Sequence, residues 1–138
     1  MGQPSAESAK RVARAFADAI NHQDADEIDK LMTEDHLFID SLGSKIQGKP
    51  QMREGWKAYF RMVPDYSIAV DETLVAGAVV VMLGTVQGTY STGGALQPEN
   101  RWATPAAWRA LVRDSQVAEW RVFADNEPIR QIMARNRR

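Results

Sequence analysis

Val12, Ala13, Phe16, Ala19 and Ile20 recur at helical spacing near the start of the chain, while Lys10, Arg11, Arg14 and Asp18 take the other face. This predicts an amphipathic first helix, with Ser5 or Ser8 as its cap. Asn21-His22-Gln23-Asp24 reads as its end and as the cap of a shorter second helix carrying Ile28, Leu31 and Met32. Residues 36–41 then have strand character, with a turn at Gly43 and a brief continuation through Lys45-Ile46-Gln47. Gly48-Lys49-Pro50 introduces a third helix, with Met52, Trp56, Tyr59, Phe60 and Val63 on one side and Pro64 as its stop.

From Tyr66 the period changes from helical to extended. Ser67–Val70 leads into Thr73–Val75, Gly77 turns the chain, and a β-rich run extends from Ala78 through Leu83 and Val86 to Tyr90. Residues 91–101 read as a loop. Two long strands are expected at 102–113 and 117–125, joined at Arg113-Asp114-Ser115-Gln116. Glu127-Pro128 then opens a short helix with Ile129, Ile132 and Met133. Helices first and antiparallel strands later predict an α+β fold, with helices packed on one face of a curved sheet.

A length of 138 residues and 44% hydrophobic content suit one domain spanning 1–138, with 1–8 and 134–138 as flexible termini. The net charge of −1 creates no field for nucleic acid or acidic lipid. Arg130, Arg135, Arg137 and Arg138 form the only basic bias, as expected of a solvated end. With no cysteine, disulfide and thiolate chemistry are excluded. No run approaches the ~20 apolar residues of a membrane span, and the first residues lack a secretory pattern. A cytoplasmic protein with neither membrane nor nucleic-acid partner is expected.

Two carboxylates interrupt this ordinary picture. Asp40 ends His36-Leu37-Phe38-Ile39-Asp40, and Asp125 ends Trp120-Arg121-Val122-Phe123-Ala124-Asp125. Desolvating an unpaired charge is costly, so such a residue is either a turn former or a chemical group held at a pocket. Asp40 can cap the turn at Ser41-Leu42-Gly43 through its side chain. Asp125 can cap the last helix or pair with Arg121, which shares its strand face. His36 alternates onto the face of Phe38 and Asp40, where it either tunes that carboxylate or is a plain structural residue. Two such ligands without a third do not make a metal site, and no cofactor is expected.

The order of these segments resembles the nuclear-transport-factor-2-like superfamily. It comprises two helices, Glu34-Asp35-His36-Leu37-Phe38-Ile39-Asp40, a helix with Trp56 and Tyr59-Phe60, Pro64-Asp65-Tyr66, then Trp108-Arg109 and Glu119 through Asp125. Within that superfamily the chain is most similar to the branch of SnoaL-like polyketide cyclases and ketosteroid isomerases, over residues 10–133. The resemblance implies a cone-shaped roll, in which a strongly bent mixed sheet wraps around the N-terminal helices and leaves a deep apolar pocket. It also implies a homodimer through the sheet. Arg109, Arg113 and Arg121 on alternating strand positions agree with a solvated or dimer-facing side. Fold alone leaves the chemistry open.

Residue by residue, the resemblance is partial. Asp40 before Ser41-Leu42-Gly43 falls on the general base of the ketosteroid isomerases. Their oxyanion-holding tyrosine corresponds here to Phe16, and their neutral aspartic acid to Ala106 or Ala107. Trp120-Arg121 with Asp125 matches the closing strand of limonene-epoxide-hydrolase-like enzymes, but Gly84–Thr89 holds no Arg-x-Asp partner. SnoaL-like cyclases need an acid/base aspartate on a late strand and a nearby histidine, roles open to Asp125 and His36. Asp40, Asp125 and His36 are therefore the candidate catalytic residues. Phe16, Trp56, Tyr59, Phe60, Trp102, Trp108 and Trp120 are the candidates for the aromatic wall of a pocket binding a mid-sized apolar organic molecule. Most of the six other than Phe16 should be core, with two or three at the ligand. The expected chemistry is cofactor-free isomerisation, cyclisation or hydration, with a non-catalytic binding module of the same fold as the alternative.

Overall fold

Ser5 caps α1 (Ala6–Asn21) by accepting a hydrogen bond from the Ser8 N–H at 3.1 Å. The structure, a computed structural model, describes residues 5–137. Ala9, Ala13, Ala17 and Ala19 make the buried face of α1 shallow, so the helix lies close to the sheet and inserts one large ring, Phe16. Asp24 caps α2 (Ala25–Leu31) through the Glu27 N–H. Helix α3 (Lys49–Met62) starts after Gly48 with Pro50 in its first turn, and α4 (Glu127–Arg135) starts likewise with Pro128. Residues 6–8, 134 and 135, assigned above to flexible ends, are helical; residues 1–4 and 138 lie outside the described residues.

Six strands form one mixed sheet in the order β2-β1-β6-β5-β4-β3. They are β1 (Met32–Ile39), β2 (Lys45–Gln47), β3 (Ser67–Ala76), β4 (Val79–Thr89), β5 (Arg101–Arg113) and β6 (Gln116–Ala124). Among the described residues only the β1–β6 pair is parallel. The sheet is curled and open, and with four helices it forms the expected α+β cone. Cross-strand partners Met82, Trp108 and Val122 share its inner face, as do Val80, Ala110 and Trp120. Trp108 and Trp120 are among the largest wholly buried side chains. Phe16 meets Trp120 with ring centroids 4.6 Å apart, which joins α1 to the middle of the sheet. Burying side chains of this size contributes roughly 1.5–3 kcal/mol each. Among the described residues no helix is long and apolar enough to cross a membrane.

Some boundaries differ from the sequence expectation. Met32 belongs not to the second helix but to β1, which begins four residues earlier than expected and stops at Ile39. Met32 has extended geometry and is fully buried, so helix passes into strand without a loop and an apolar residue there satisfies either pattern. Asp40 and Ser41 consequently fall in the turn rather than the strand. The 91–101 segment is a loop with internal order. Thr92 bridges Ala95 around Gly93 and Gly94, both at positive φ, and a single 3-10 turn spans Pro98–Asn100. Strand β5 starts at Arg101 and β6 at Gln116, one residue early in each case.

Candidate functional site

Three elements meet at the open side of the cone: the β1–β2 turn, the inner face of α3, and the start of α4. The turn is built around one carboxylate. Asp40 Oδ1 accepts the N–H groups of Leu42 and Ser44, both at 2.9 Å, while the Asp40 N–H donates to the Ser44 carbonyl. Gly43, at φ 86°, lets the chain reverse there. The second carboxylate starts a helix. Asp125 Oδ1 accepts the Glu127 N–H at 2.9 Å, at the positive end of α4. Both aspartates thus have the turn and helix-capping roles open to them in the sequence. Each uses only one oxygen for that role: no described residue donates to either Oδ2.

Both also border one cavity of about 370 Å³. Its outer side is formed by exposed residues, including Leu42, Ile46, Asp125 and Arg130. Its inner side is formed by buried ones, including Met52, Trp56, Tyr66, Val86, Trp102 and Thr104. Tyr59 lies beside Tyr66, ring centroids 4.9 Å apart and perpendicular. Burial pushes the Tyr59 phenol up to about 12 and the Tyr66 phenol further up, so both are protonated at neutral pH. Arg130 leans toward Glu127 at 3.7 Å.

The candidate residues separate accordingly. Asp40, Asp125, Trp56, Tyr59 and Trp102 border the cavity. Phe16, Trp108 and Trp120 do not; they are core beneath it, because α1 presses Phe16 onto the inner face that carries both tryptophans. Phe60 stacks behind Trp56 at 5.5 Å instead of reaching the wall. His36 is also absent from the wall and fully buried. Its Nδ1 lies 2.7 Å from the Val117 carbonyl. That oxygen can only accept, which assigns the proton to Nδ1 and leaves Nε2 bare and without a partner. Desolvation lowers the His36 pKa and keeps the ring neutral. His36 therefore packs as a flat core side chain, stacked on Phe16 at 5.9 Å, and does not join Asp40.

Other wall residues escaped the sequence reading. Thr104 and Val86 were legible in principle, since alternation places Thr104 with Trp102 and Trp108 on the inner face. Arg130, Asn126 and Met133 were not, because the direction in which α4 folds back is a tertiary outcome.

A family model described as a SnoaL-like domain matches residues 13–126. The chain belongs to the SnoaL-like domain family. No curated protein matches this SnoaL-like domain. Solved structures share its fold. A candidate polyketide cyclase from Xanthomonas campestris pv. campestris is 18% identical with a TM-score of 0.79, covering 92% of this chain and 98% of its own. An LEH-like epoxide hydrolase of M. tuberculosis is 19% identical with a TM-score of 0.78, covering 96% and 94%. A protein of ketosteroid-isomerase-like fold from Catenulispora acidiphila, solved in complex with trimethylamine, is 17% identical with a TM-score of 0.74, covering 86% and 88%. Helix α4 of this SnoaL-like domain, with its share of the cavity wall, follows the segment that the family model matches.

Proposed function

We propose that this SnoaL-like domain binds a mid-sized, largely apolar organic molecule in its cavity and performs cofactor-free acid/base chemistry on it with Asp40 and Asp125. The observation that carries this reading is the pairing of the two carboxylates on one cavity, each pinned by Oδ1 with Oδ2 unpartnered. A pinned carboxylate is a positioned one, and a bare oxygen is what a general base presents to a substrate proton. The volume falls within the roughly 300–1,000 Å³ of ordinary small-molecule sites. Aliphatic and aromatic side chains on the inner side favour an apolar body. Names carried by solved neighbours, polyketide cyclase and epoxide hydrolase, point to the same broad class of chemistry.

The test is a thermal-shift screen of aromatic and carbonyl metabolites, with turnover followed for each ligand on wild type, Asp40→Asn and Asp125→Asn. Asparagine keeps an Oδ1 for the turn or cap and removes the base. The expected result is near-unchanged ligand affinity with turnover lowered by about 10²–10⁴ in at least one variant. A second reading, a non-catalytic carrier, is favoured by the structural duties that both aspartates already perform. It predicts that each amide variant shifts stability alone, with no ligand turned over by any form of the protein. Because outward-facing positions of the sheet carry Val79, Val81, Leu83, Leu111 and Phe123, we also propose pairing of two copies through that face.

A further inference from the structure

Midway along α3 stands a glycine that neither backbone geometry nor packing requires. Gly55 does not have a positive φ. A Cβ built on it would meet only the Met52 thioether, with Sδ at 3.5 Å and Cε at 3.7 Å, which is ordinary van der Waals contact. The other glycines of the described residues have a reason in the fold. Gly43, Gly48, Gly77, Gly93 and Gly94 sit at positive φ, while a Cβ at Gly84 or Gly88 would strike the Ala69 carbonyl oxygen or the Val63 side chain. Gly55 has no such reason, and it carries a cost. Glycine inside a helix is less stable than alanine, because it loses more backbone freedom on folding.

The surroundings of Gly55 explain why the cost is tolerated. It borders the cavity together with Met52, Trp56, Tyr59 and Met62 of the same helix. Met52, Tyr59 and Met62 stand three residues before it and four and seven after it, the spacing of one helical face. That face is a row of large side chains interrupted at a single position. At Gly55 the wall recedes to the helix backbone, which leaves a notch with a thioether at one end and a phenol ring at the other. A glycine lets a ligand approach the backbone more closely than any other residue would. Thioether and aromatic neighbours are suited to an apolar ring.

We propose that Gly55 is a specificity-determining residue, and that the notch between Met52 and Tyr59 seats an apolar ring of the ligand against the backbone of α3. This rests on reading the cavity as a small-molecule site. Asp40 reaches the same cavity from the β1–β2 turn and Asp125 from the start of α4, so the ring is held by an element that carries neither carboxylate. Any larger residue at position 55 closes the notch and relieves the helix. Substitution should therefore strengthen the fold and weaken binding together, a combination that a glycine needed for packing would not give.

Two neutral probes test this: naphthalene, and N-phenyl-1-naphthylamine, which is the same bicycle carrying one further ring. Fluorescence titration gives their affinities, and thermal unfolding without ligand gives the melting temperature, on wild type, Gly55→Ala and Gly55→Leu. Gly55→Ala should melt roughly 2–4 °C above wild type. It should bind naphthalene within about twofold of wild type and N-phenyl-1-naphthylamine about tenfold more weakly. Gly55→Leu, still a good helix former, should lose more affinity for the larger probe than Gly55→Ala does. In amide proton–nitrogen spectra of wild type, the larger probe should move the Gly55 cross-peak more than those of Gly77 and Gly93, which do not border the cavity. Unchanged affinity for N-phenyl-1-naphthylamine in both variants, or an unmoved Gly55 cross-peak, overturns the notch and leaves the cavity reading standing. A lowered melting temperature in Gly55→Ala overturns it as well, because the glycine would then serve packing. If neither probe binds wild type, the cavity reading falls and the notch with it.

Discussion

His36 shows how one buried side chain can look like chemistry in a sequence and act as structure. On a strand face two residues from Phe38 and four from Asp40, it has the spacing of a partner for a catalytic carboxylate. In the fold its Nδ1 bonds the Val117 carbonyl and its ring lies against Phe16, away from the cavity. The pattern could not distinguish these outcomes, since an inner-facing strand position points equally at a core or at a pocket. The consequence is measurable. Desolvation, partly offset by the Val117 hydrogen bond and by Asp35 and Glu119, lowers the folded-state pKa below the ordinary value of 6.5. The unfolded chain then takes up a proton before the native one does, so this contribution is complete above 6.5 and is lost as pH falls through the folded value. Asp35, lowered from 3.8 mainly by the Thr33 hydroxyl and then by Arg113, acts only in more acidic solution. Urea unfolding at pH 7.5 and 5.5 should show wild type less stable at the lower pH. His36→Leu should be less stable by about 1–3 kcal/mol at neutral pH, through the orphaned carbonyl, yet show a smaller loss between the two values. An equal pH loss in the variant would remove His36 as its source.

At the scale of elements, helical and extended periods located the four helices and six strands of the described residues, because all but the exposed β2 bury one face on the same core. What escaped were junctions. The passage from Leu31 to Met32 and the turn at Asp40 depend on caps and register, which single residues decide. The β3–β4 pair contains the sharpest case. Its register shifts between Val70 and Glu72, opposite Gly84, and a Cβ at Gly84 would lie 1.8 Å from the Ala69 carbonyl oxygen. The strands can approach there only without a side chain, a requirement of backbone contact that no hydrophobic pattern encodes. Gly84→Ala must therefore push backbone aside rather than a flexible side chain. A cost at or above the roughly 1–3 kcal/mol of ordinary overpacking is expected, read as a lowered melting temperature. An unchanged melting temperature would show that the bulge absorbs the methyl group.

At the scale of the whole molecule, the curled sheet has two faces with different demands. The inner face is satisfied by α1 and α3. The outer face is not: Val79 pairs with Leu111, Val81 with Arg109, and Leu83 with Ala107, which in turn faces Phe123. Leu74 is 52% exposed and Phe123 46%, while the Arg109–Glu119 ion pair and the Arg121 guanidinium, 4.7 Å above the Phe123 ring, stand among them. Arg121 Nε is buried without an acceptor. An apolar field with a few charges in fixed places suits self-pairing across a two-fold axis, where each residue is used twice. Substituting one such position removes two contacts. With roughly 1.5–3 kcal/mol per buried large side chain, Phe123→Glu or Leu83→Glu should weaken a dimer by about 3–6 kcal/mol, or 10²–10⁴-fold in dissociation constant. Sedimentation velocity at micromolar concentration should find wild type as a dimer and either variant as a folded monomer. Ligand binding should persist in that monomer, because Val86, Trp102, Thr104 and Val122 of the cavity wall lie on the inner face of the sheet, opposite the substituted positions. A wild-type chain that sediments as a monomer throughout would assign the outer face to solvent, with Arg109, Glu119 and Arg121 serving only to keep it wet.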